Sequence, residues 1–157
     1  MEALGAKHSK SRISQPNAEG RIIMSHIDKV HIINRRLIAD ERGWFLKAIT
    51  GTEEGIPSHT GEVYLTMGKP GQAKGGHYHP EAVEWFTIIE GSAVLKLEDM
   101  DTHVTREIEM SLEKAITVFI PNNVAHIVVN NSDKDFILLA YTDKLYDPAD
   151  TIAHKFE

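Results

Sequence analysis

Short runs of Val, Ile, Thr and aromatic residues follow one another from residue 28 onward, and turn residues separate them. Such residues favour the pleated backbone of β-strands, and Gly, Pro and Asn between them mark turns. No segment of about 12 residues keeps the 3.6-residue apolar period of an amphipathic helix. About ten short strands at regular spacing predict an all-β domain, either a sandwich or a barrel.

The chain of 157 residues suits a single domain with a sizeable core. Its opening segment is polar and contains Pro16 and Gly20, so we predict a flexible tail over residues 1–25 and a barrel domain over residues 26–157. The segment lacks the apolar run of ~7–15 residues that a secretory signal needs. No apolar run approaches the ~20 residues of a membrane span, so we expect no membrane partner.

Charge and cysteine content exclude several functional classes. The chain has 17 Lys and Arg against 23 Asp and Glu, a net charge of −6, and an acidic surface argues against a nucleic-acid partner. The absence of cysteine excludes disulfides, thiolate metal sites and cysteine nucleophiles, and it is compatible with the cytoplasmic location that we expect. Nine histidines direct attention to imidazole chemistry.

Two histidines and a glutamate lie close together in the segment GQAKGGHYHPEAVEWFTIIEG, residues 71–91. His77 and His79 are two residues apart, so on a strand they point to the same face. Glu84 begins the next predicted strand, and His126 can join them if the sheet closes into a barrel. Three imidazoles and a carboxylate are suitable ligands for a divalent transition metal. We call these four residues the His–Glu quartet.

The two segments that carry the quartet resemble the paired motifs of the cupin superfamily. The first segment matches the pattern G-x5-H-x-H-x3,4-E-x6-G at every named position. The second, around His126, departs twice, because Ala115 and Asn123 stand where the pattern has glycine. Asn adopts the left-handed conformation more readily than most residues, so the turn at Asn123 can survive. The resemblance implies a single-domain jelly-roll barrel.

Three further segments are similar to enzymes of deoxysugar and polysaccharide biosynthesis. DERGWFLKAI, residues 40–49, resembles the opening of dTDP-4-dehydrorhamnose 3,5-epimerases. KGGHYH resembles the core motif of dTDP-sugar 3,4-ketoisomerases, with Lys74 in place of Arg, and the cupin domain of bifunctional capsular-polysaccharide enzymes. LLAYTDKLYDPADT resembles their closing strand and tail. The resemblance implies a homodimeric isomerase or epimerase that acts on a 4-keto-6-deoxyhexose nucleotide.

Such a reaction requires a base that removes a proton next to the carbonyl, stabilisation of the enolate, and an acid that returns the proton. We predict that His77, assisted by His79, is the base, because histidine titrates near ~6.5. Tyr141 or Tyr64 would be the acid. Lys74, or a bound cation, would stabilise the enolate.

Substrate binding and metal binding add further expectations. The resemblance implies that Arg42 contacts a phosphate of the nucleotide, that Phe45 or Trp44 lies near the nucleotide base, and that Lys74 also contacts the substrate. If the quartet binds a divalent ion such as zinc, iron or manganese, the ion polarises the carbonyl. His77 would then be a ligand and could not also be the free base, so the two versions exclude each other.

Two other functions stay open on the sequence. The quartet also suits a metal-dependent cupin of another class, such as an iron dioxygenase. A non-catalytic barrel that binds a sugar is the third reading. The segment 40–49 and the C-terminal segment YDPADT favour the sugar isomerase, because neither metal binding nor the barrel fold requires these two segments.

Overall fold

The computed structural model describes residues 32, 34 and 36–157, in which Arg35–Glu157 belongs to one compact unit. The predicted tail over residues 1–25 lies outside the described residues. All regular strands in the described part pair antiparallel, which confirms the all-β prediction. Among the described residues, no helix is long and apolar enough to cross a membrane.

Eleven strands lie in the described range, and one turn of 3-10 helix at Pro148–Asp150 precedes the last. In chain order they are β1 (Leu37–Asp40), β2 (Gly43–Ile49), β3 (Glu62–Gly68), β4 (Ala73–Tyr78), β5 (Glu84–Glu90), β6 (Ser92–Asp99), β7 (Thr105–Ser111), β8 (Thr117–Ile120), β9 (Val124–Val129), β10 (Phe136–Thr142) and β11 (Ile152–Ala153). One sheet has the order β1-β2-β3-β10-β5-β8 and the other β11-β4-β9-β6-β7. Consecutive strands such as β4 and β5 lie in different sheets, as in a jelly roll.

The hydrophobic core fills one end of the space between the sheets. Phe136, Leu138 and Ala140 alternate along β10 with 0–2% exposure and pack against Leu95 and Val128 of the other sheet. The same face of β10 ends in Thr142, which pairs in register with the first residues of β3 and β5. Because those residues are Glu62 and Glu84, both buried, the barrel interior changes from apolar to polar along the strands.

The outer face of the six-stranded sheet shows few of the polar residues that alternation on a half-exposed sheet usually places there; in the described strands they include Thr87 and Thr117, whose hydroxyls hydrogen bond at 2.8 Å, and Glu90, opposite Ile137. In-register rows run across the strands, with Trp44 beside Met67 and Tyr141 beside Trp85 and then Phe119. We call the apolar residues of this face the outer patch: Leu37, Trp44, Leu46, Val63, Leu65, Met67, Trp85, Ile89, Phe119, Ile137, Leu139 and Tyr141. None of these twelve side chains is charged.

The two departures from the cupin glycine pattern adopt the conformation that glycine would supply. Asn123 has φ 58° and Ala115 has φ 50°, both in the left-handed region. The Asn123 backbone N–H donates to the His79 carbonyl oxygen at 2.8 Å, which links the turn before β9 to the end of β4. The turn therefore survives the substitution, as we predicted for Asn123.

Candidate metal centre and cavity

Three strands bring the His–Glu quartet together. His77 lies in β4 directly opposite His126 of β9, and His79 follows the end of β4. A bulge lies between Gly75 and His77, and Gly75 has φ 95°. A Cβ on Gly75 would lie 2.9 Å from the His126 carbonyl oxygen, so only glycine allows this approach of the two strands without a shift. A short loop then returns the chain to Glu84, the first residue of β5.

The ligand atoms of the quartet converge. One nitrogen or oxygen atom from each of the four residues lies within 4.8 Å of the other three. The His77 ring centroid is 4.8 Å from that of His126 and 5.0 Å from that of His79. Glu84 and His126 are 4% and 1% exposed, while the other two histidines are half-buried. The structure thus brings together the four residues that the sequence grouped.

Backbone carbonyls fix the protonation of two of the rings. His79 Nδ1 lies 2.8 Å from the Asp150 carbonyl oxygen, and His126 Nδ1 lies 3.2 Å from the Val124 carbonyl oxygen. A carbonyl oxygen only accepts, so each Nδ1 carries the hydrogen and each Nε2 has a lone pair when the ring is neutral. Metal-binding histidines commonly have this second hydrogen bond.

The Nε2 lone pairs of His79 and His126 face Glu84 Oε2, a carboxylate oxygen that accepts no hydrogen bond. Glu84 Oε2 lies 3.0 Å from His126 Nε2 and 3.6 Å from His79 Nε2. Glu84 Oε2 and His126 Nε2 are buried and have no hydrogen-bond partner, whereas Oε1 accepts from the Tyr64 hydroxyl at 2.8 Å. Unsatisfied buried polar atoms are costly. A divalent cation held between these atoms would satisfy both, so the residues fit a metal ion.

The electrostatics of two quartet residues, Glu84 and His77, favour the protonation states that bind metals. Burial raises the pKa of Glu84, but the rings of His126 and His79 beside its carboxylate outweigh burial and hold that pKa well below its usual range. Burial, followed by repulsion from His126 and His79, lowers the pKa of His77 to about 4. At neutral pH Glu84 is therefore ionised and His77 is neutral, and these are the forms that coordinate a cation.

A cavity of about 410 Å³ opens beside the quartet, within the usual size of ligand sites. Its wall includes Phe45 and Tyr64, whose ring centroids are 5.2 Å apart. Four cationic side chains also line it: Arg42, Lys47, Lys74 and Lys144. An acidic protein can bind an anion where such cations converge.

Arg42 and Lys74 lie together through Asp40, a residue that the sequence analysis did not select. The Arg42 guanidinium contacts the Asp40 carboxylate at 2.6 and 3.1 Å, and Lys74 Nζ lies 3.8 Å from the same carboxylate. The Lys74 side chain is only 13% exposed, and burial lowers its pKa. The DERG motif contains Asp40, so the signal was present, but nothing in the sequence indicated its contact with Lys74.

The structure does not bring Tyr141 to the cavity wall. Thr142 lines the cavity, so its neighbour Tyr141 points to the opposite face of β10. There the Tyr141 ring lies 5.3 Å from the Trp85 ring, in the outer patch. Trp44 is also on the outer face, whereas its neighbour Phe45 lines the cavity. Of the two residues predicted near the nucleotide base, the structure therefore brings Phe45 and not Trp44 to the cavity.

Tyr64 lies in the cavity wall, but its hydroxyl is already engaged. It donates to Glu84 Oε1 at 2.8 Å. Burial and then the charge of Glu84 raise the pKa of Tyr64 well above its ordinary value. Its contacts therefore orient the Glu84 carboxylate so that Oε2 is left for a cation.

Asp150 is a second residue that the sequence analysis did not select. It contacts His79 through its carbonyl oxygen, and it lines the cavity. The segment LYDPADT was noted only for its resemblance to the tails of sugar enzymes. The contact joins residues 71 positions apart, so local sequence pattern gives no signal for it.

Known proteins share this fold and parts of this sequence. The capsular polysaccharide assembling protein CapF from Staphylococcus aureus superposes with a TM-score of 0.71 at 25% identity, over 82% of this chain and 34% of that one. Oxalate decarboxylase from Bacillus subtilis superposes with a TM-score of 0.64 at 19% identity, over 76% of this chain and 30% of that one. These neighbours confirm the cupin jelly roll.

A curated relative also matches in sequence. It is UDP-2-acetamido-2,6-beta-L-arabino-hexul-4-ose reductase from Pseudomonas aeruginosa, 27% identical over 109 residues, which are 69% of this chain and 28% of the relative. This chain therefore spans about a third or less of these proteins. The family model described as polysaccharide biosynthesis C-terminal domain matches residues 38–152, most of the chain. The chain belongs to that family, the polysaccharide biosynthesis C-terminal domains.

Proposed function

We propose that this domain holds a divalent metal ion in the His–Glu quartet and isomerises or epimerises a nucleotide-linked 4-keto sugar by moving the proton next to its carbonyl. The observation that carries the proposal is the unsatisfied pair Glu84 Oε2 and His126 Nε2, beside a cavity of about 410 Å³. The names of the relatives support the substrate class, since one acts on a UDP-linked hexul-4-ose and one assembles capsular polysaccharide.

The bound ion would act as a Lewis acid on the sugar carbonyl. His77 is then a ligand, so its role as the free base is given up in this proposal. Lys74 is the cavity cation that stabilises the enolate, because it is buried to 13% exposure and faces little water. A water in the cavity would take the proton next to the carbonyl, and the Lys74 ammonium, whose pKa burial lowers, would return a proton to the substrate carbon and regain one from that water.

Arg42 is proposed to contact the diphosphate. Its guanidinium is 49% exposed although it pairs with Asp40, so N–H groups stay available to a phosphate. Phe45 lies on the same wall of the cavity and offers an apolar surface to the sugar or base. Arg42 and Lys74 share the single carboxylate of Asp40, so this part of the wall keeps a positive charge although the whole cavity wall has four cationic side chains and five carboxylates.

Solvent deuterium uptake tests this proposal. The zinc- or manganese-loaded protein is incubated in D₂O with UDP- and dTDP-linked 4-keto-6-deoxyhexoses, and mass spectrometry follows exchange next to the carbonyl. We expect Lys74→Met, which removes an acid–base group, and His77→Ala, which removes a metal ligand, each to lower the exchange rate by at least about 100-fold. Lys69→Met, at an exposed turn, is the control and should exchange normally. Normal exchange in Lys74→Met would remove Lys74 from the chemistry.

A metal-dependent cupin of another class is the second candidate, favoured by the quartet alone. A solved oxalate decarboxylase from Bacillus subtilis, 25% identical, is described by its Mn(II) centres. Metal analysis of the purified protein separates the readings, because an oxygenase requires redox-active iron. Thermal-shift assays with UDP, dTDP and GDP add a second criterion, because a nucleotide that binds only the folded state raises the melting temperature. Bound iron with no nucleotide shift would favour the second candidate.

We further propose that two copies of the chain pair through the outer patch. Its twelve side chains carry no charge, and Glu90 lies beside them at the end of β5, so in a chain of net charge −6 this is a face on which identical copies can meet with little like-charge repulsion. Phe119 and Leu37 are 51% and 56% exposed, and pairing would bury them. A second copy suits an uncharged face better than a charged partner does.

Light scattering after size exclusion measures the predicted pairing. The wild-type chain should elute as a dimer, and Phe119→Lys should elute as a monomer at the same concentration because it buries a charge in the interface. Val104→Lys, at a position that is 68% exposed and outside the patch, should remain dimeric. A monomeric wild type, or a dimeric Phe119→Lys variant, would overturn the pairing.

A further inference from the structure

The segment Asp147–Ala153 lies beside the quartet and contacts the chain both before and after His79. Its strand β11 pairs with β4, with Ile152 opposite Tyr78 and Ala153 opposite His77. Asp147 caps the 3-10 turn by accepting from the Ala149 N–H at 2.8 Å. The turn places Asp150 against His79.

Asp150 makes three hydrogen bonds, one to the His79 ring and two to the loop that follows His79. Its carbonyl oxygen accepts from His79 Nδ1 at 2.8 Å. Its carboxylate accepts from the N–H groups of Glu81 at 2.8 Å and Ala82 at 2.9 Å. Those two residues belong to the loop that joins His79 to Glu84. Asp150 therefore holds both the ring and the loop between two quartet residues.

We propose that Asp150 is the positioning residue of the metal centre: its carboxylate anchors the loop 80–83, and its carbonyl directs His79 Nε2 at the ion. The inference rests on the proposed metal function. The His79 ring needs this anchor because it is half-buried and lies beyond the end of β4, where its backbone is held by the Asn123 N–H rather than by a paired strand. His126, by contrast, is 1% exposed inside β9 and packs edge-on against Phe86 at 5.4 Å.

The carboxylate of Asp150 is the part that a substitution can remove. Alanine would lose both backbone acceptors and release the loop and the carbonyl together. Asparagine keeps the shape and one acceptor oxygen but places an NH₂ group near a backbone N–H. We therefore expect the loss of function to be graded, with Asp150→Ala more affected than Asp150→Asn. Loss of a group that orients a metal ligand typically lowers metal affinity by about 10–100-fold.

Asp99 offers a matched control. Its carboxylate also accepts from two backbone N–H groups, those of Asp101 at 2.9 Å and Thr102 at 2.8 Å. Asp99 ends β6 and is not part of the cavity wall. Asp99→Ala therefore removes the same kind of loop anchor without affecting His79.

The test is titration of the metal-free full chain with Co²⁺, read by calorimetry for affinity and by visible absorption at saturation for the ligand environment. We expect Asp150→Ala to bind Co²⁺ about 10–100-fold more weakly with an altered absorption band, Asp150→Asn to lie between, and Asp99→Ala to match wild type. Unchanged affinity and absorption in folded Asp150→Ala or Asp150→Asn would overturn the positioning role. If the wild type itself does not bind Co²⁺, Zn²⁺ or Mn²⁺, the proposed metal function fails, and the positioning role fails with it.

Discussion

Replacing Glu84 with glutamine is expected to lower the affinity for Zn²⁺ or Mn²⁺ by more than about 100-fold. This loss is larger than the one expected when a residue that only orients a metal ligand is removed. Glutamine has nearly the same shape but removes the negative charge that lies 3.0 Å from His126 Nε2. A neutral amide is a poor ligand beside three neutral imidazoles. Calorimetric titration of the metal-free protein measures the change directly.

The same substitution should have the opposite effect on the metal-free protein. The glutamine NH₂ group can donate to His126 Nε2, which has no hydrogen-bond partner, while the remaining oxygen still accepts from Tyr64. A satisfied buried hydrogen bond contributes about 1 kcal/mol, so the melting temperature without metal should hold or rise. The metal-induced rise in melting temperature should disappear.

Glu98 provides the matched control for Glu84. Its carboxylate likewise contacts two histidines, His103 and His154, each at 2.9 Å, but it lies outside the cavity wall. Glu98→Gln should therefore leave metal affinity at the wild-type value. Equal metal affinity in wild type and Glu84→Gln would contradict the assignment of the quartet as a metal site.

Truncation of Phe136 is expected to lower the free energy of unfolding by about 3–5 kcal/mol. The side chain is 0% exposed at the start of β10, and its ring packs so closely on Gly68 that a Cβ there would lie 2.4 Å from it. Strands β10 and β3 cannot move inward to fill the cavity that the truncation leaves, because they are paired with each other along their length. Urea unfolding of wild type and Phe136→Ala measures the loss.

Leu112→Ala is the control for this core prediction, since Leu112 is 54% exposed and its truncation should change stability by less than about 1 kcal/mol. Phe136 lies at the apolar end of the barrel, away from the quartet. A folded Phe136→Ala protein should therefore retain metal affinity while losing stability. A loss below about 1 kcal/mol for Phe136→Ala would show that this end of the barrel is not tightly packed.

Local sequence was sufficient for the strands and for the quartet. Alternation and turn residues identify most of the strands, because side-chain period and turn preference are properties of short segments. The spacing of His77, His79 and Glu84 requires only one strand, one loop and the next strand. His126 needed the added assumption that the sheets close, and the structure supports it.

The sequence could not show which face of β10 points into the barrel. Phe136, Leu138 and Ala140 alternate with Ile137, Leu139 and Tyr141, and both sets are apolar. Because the outer patch is apolar, alternation carries no polarity signal there, and the sequence could not show that Tyr141 lies on the face opposite the cavity. Register with β3 and β5 decides the matter by placing Thr142 beside Glu62 and Glu84.

The sequence by itself determined an all-β fold and the grouping of His77, His79 and Glu84, because those features depend on residue type and short spacing. Only the tertiary structure decided that Tyr64 holds Glu84 and that Asp150 holds His79. Those contacts join residues 20 and 71 positions apart. They exist because closure of the two sheets brings distant strand ends together, and closure is a property of the whole chain's packing rather than of any segment.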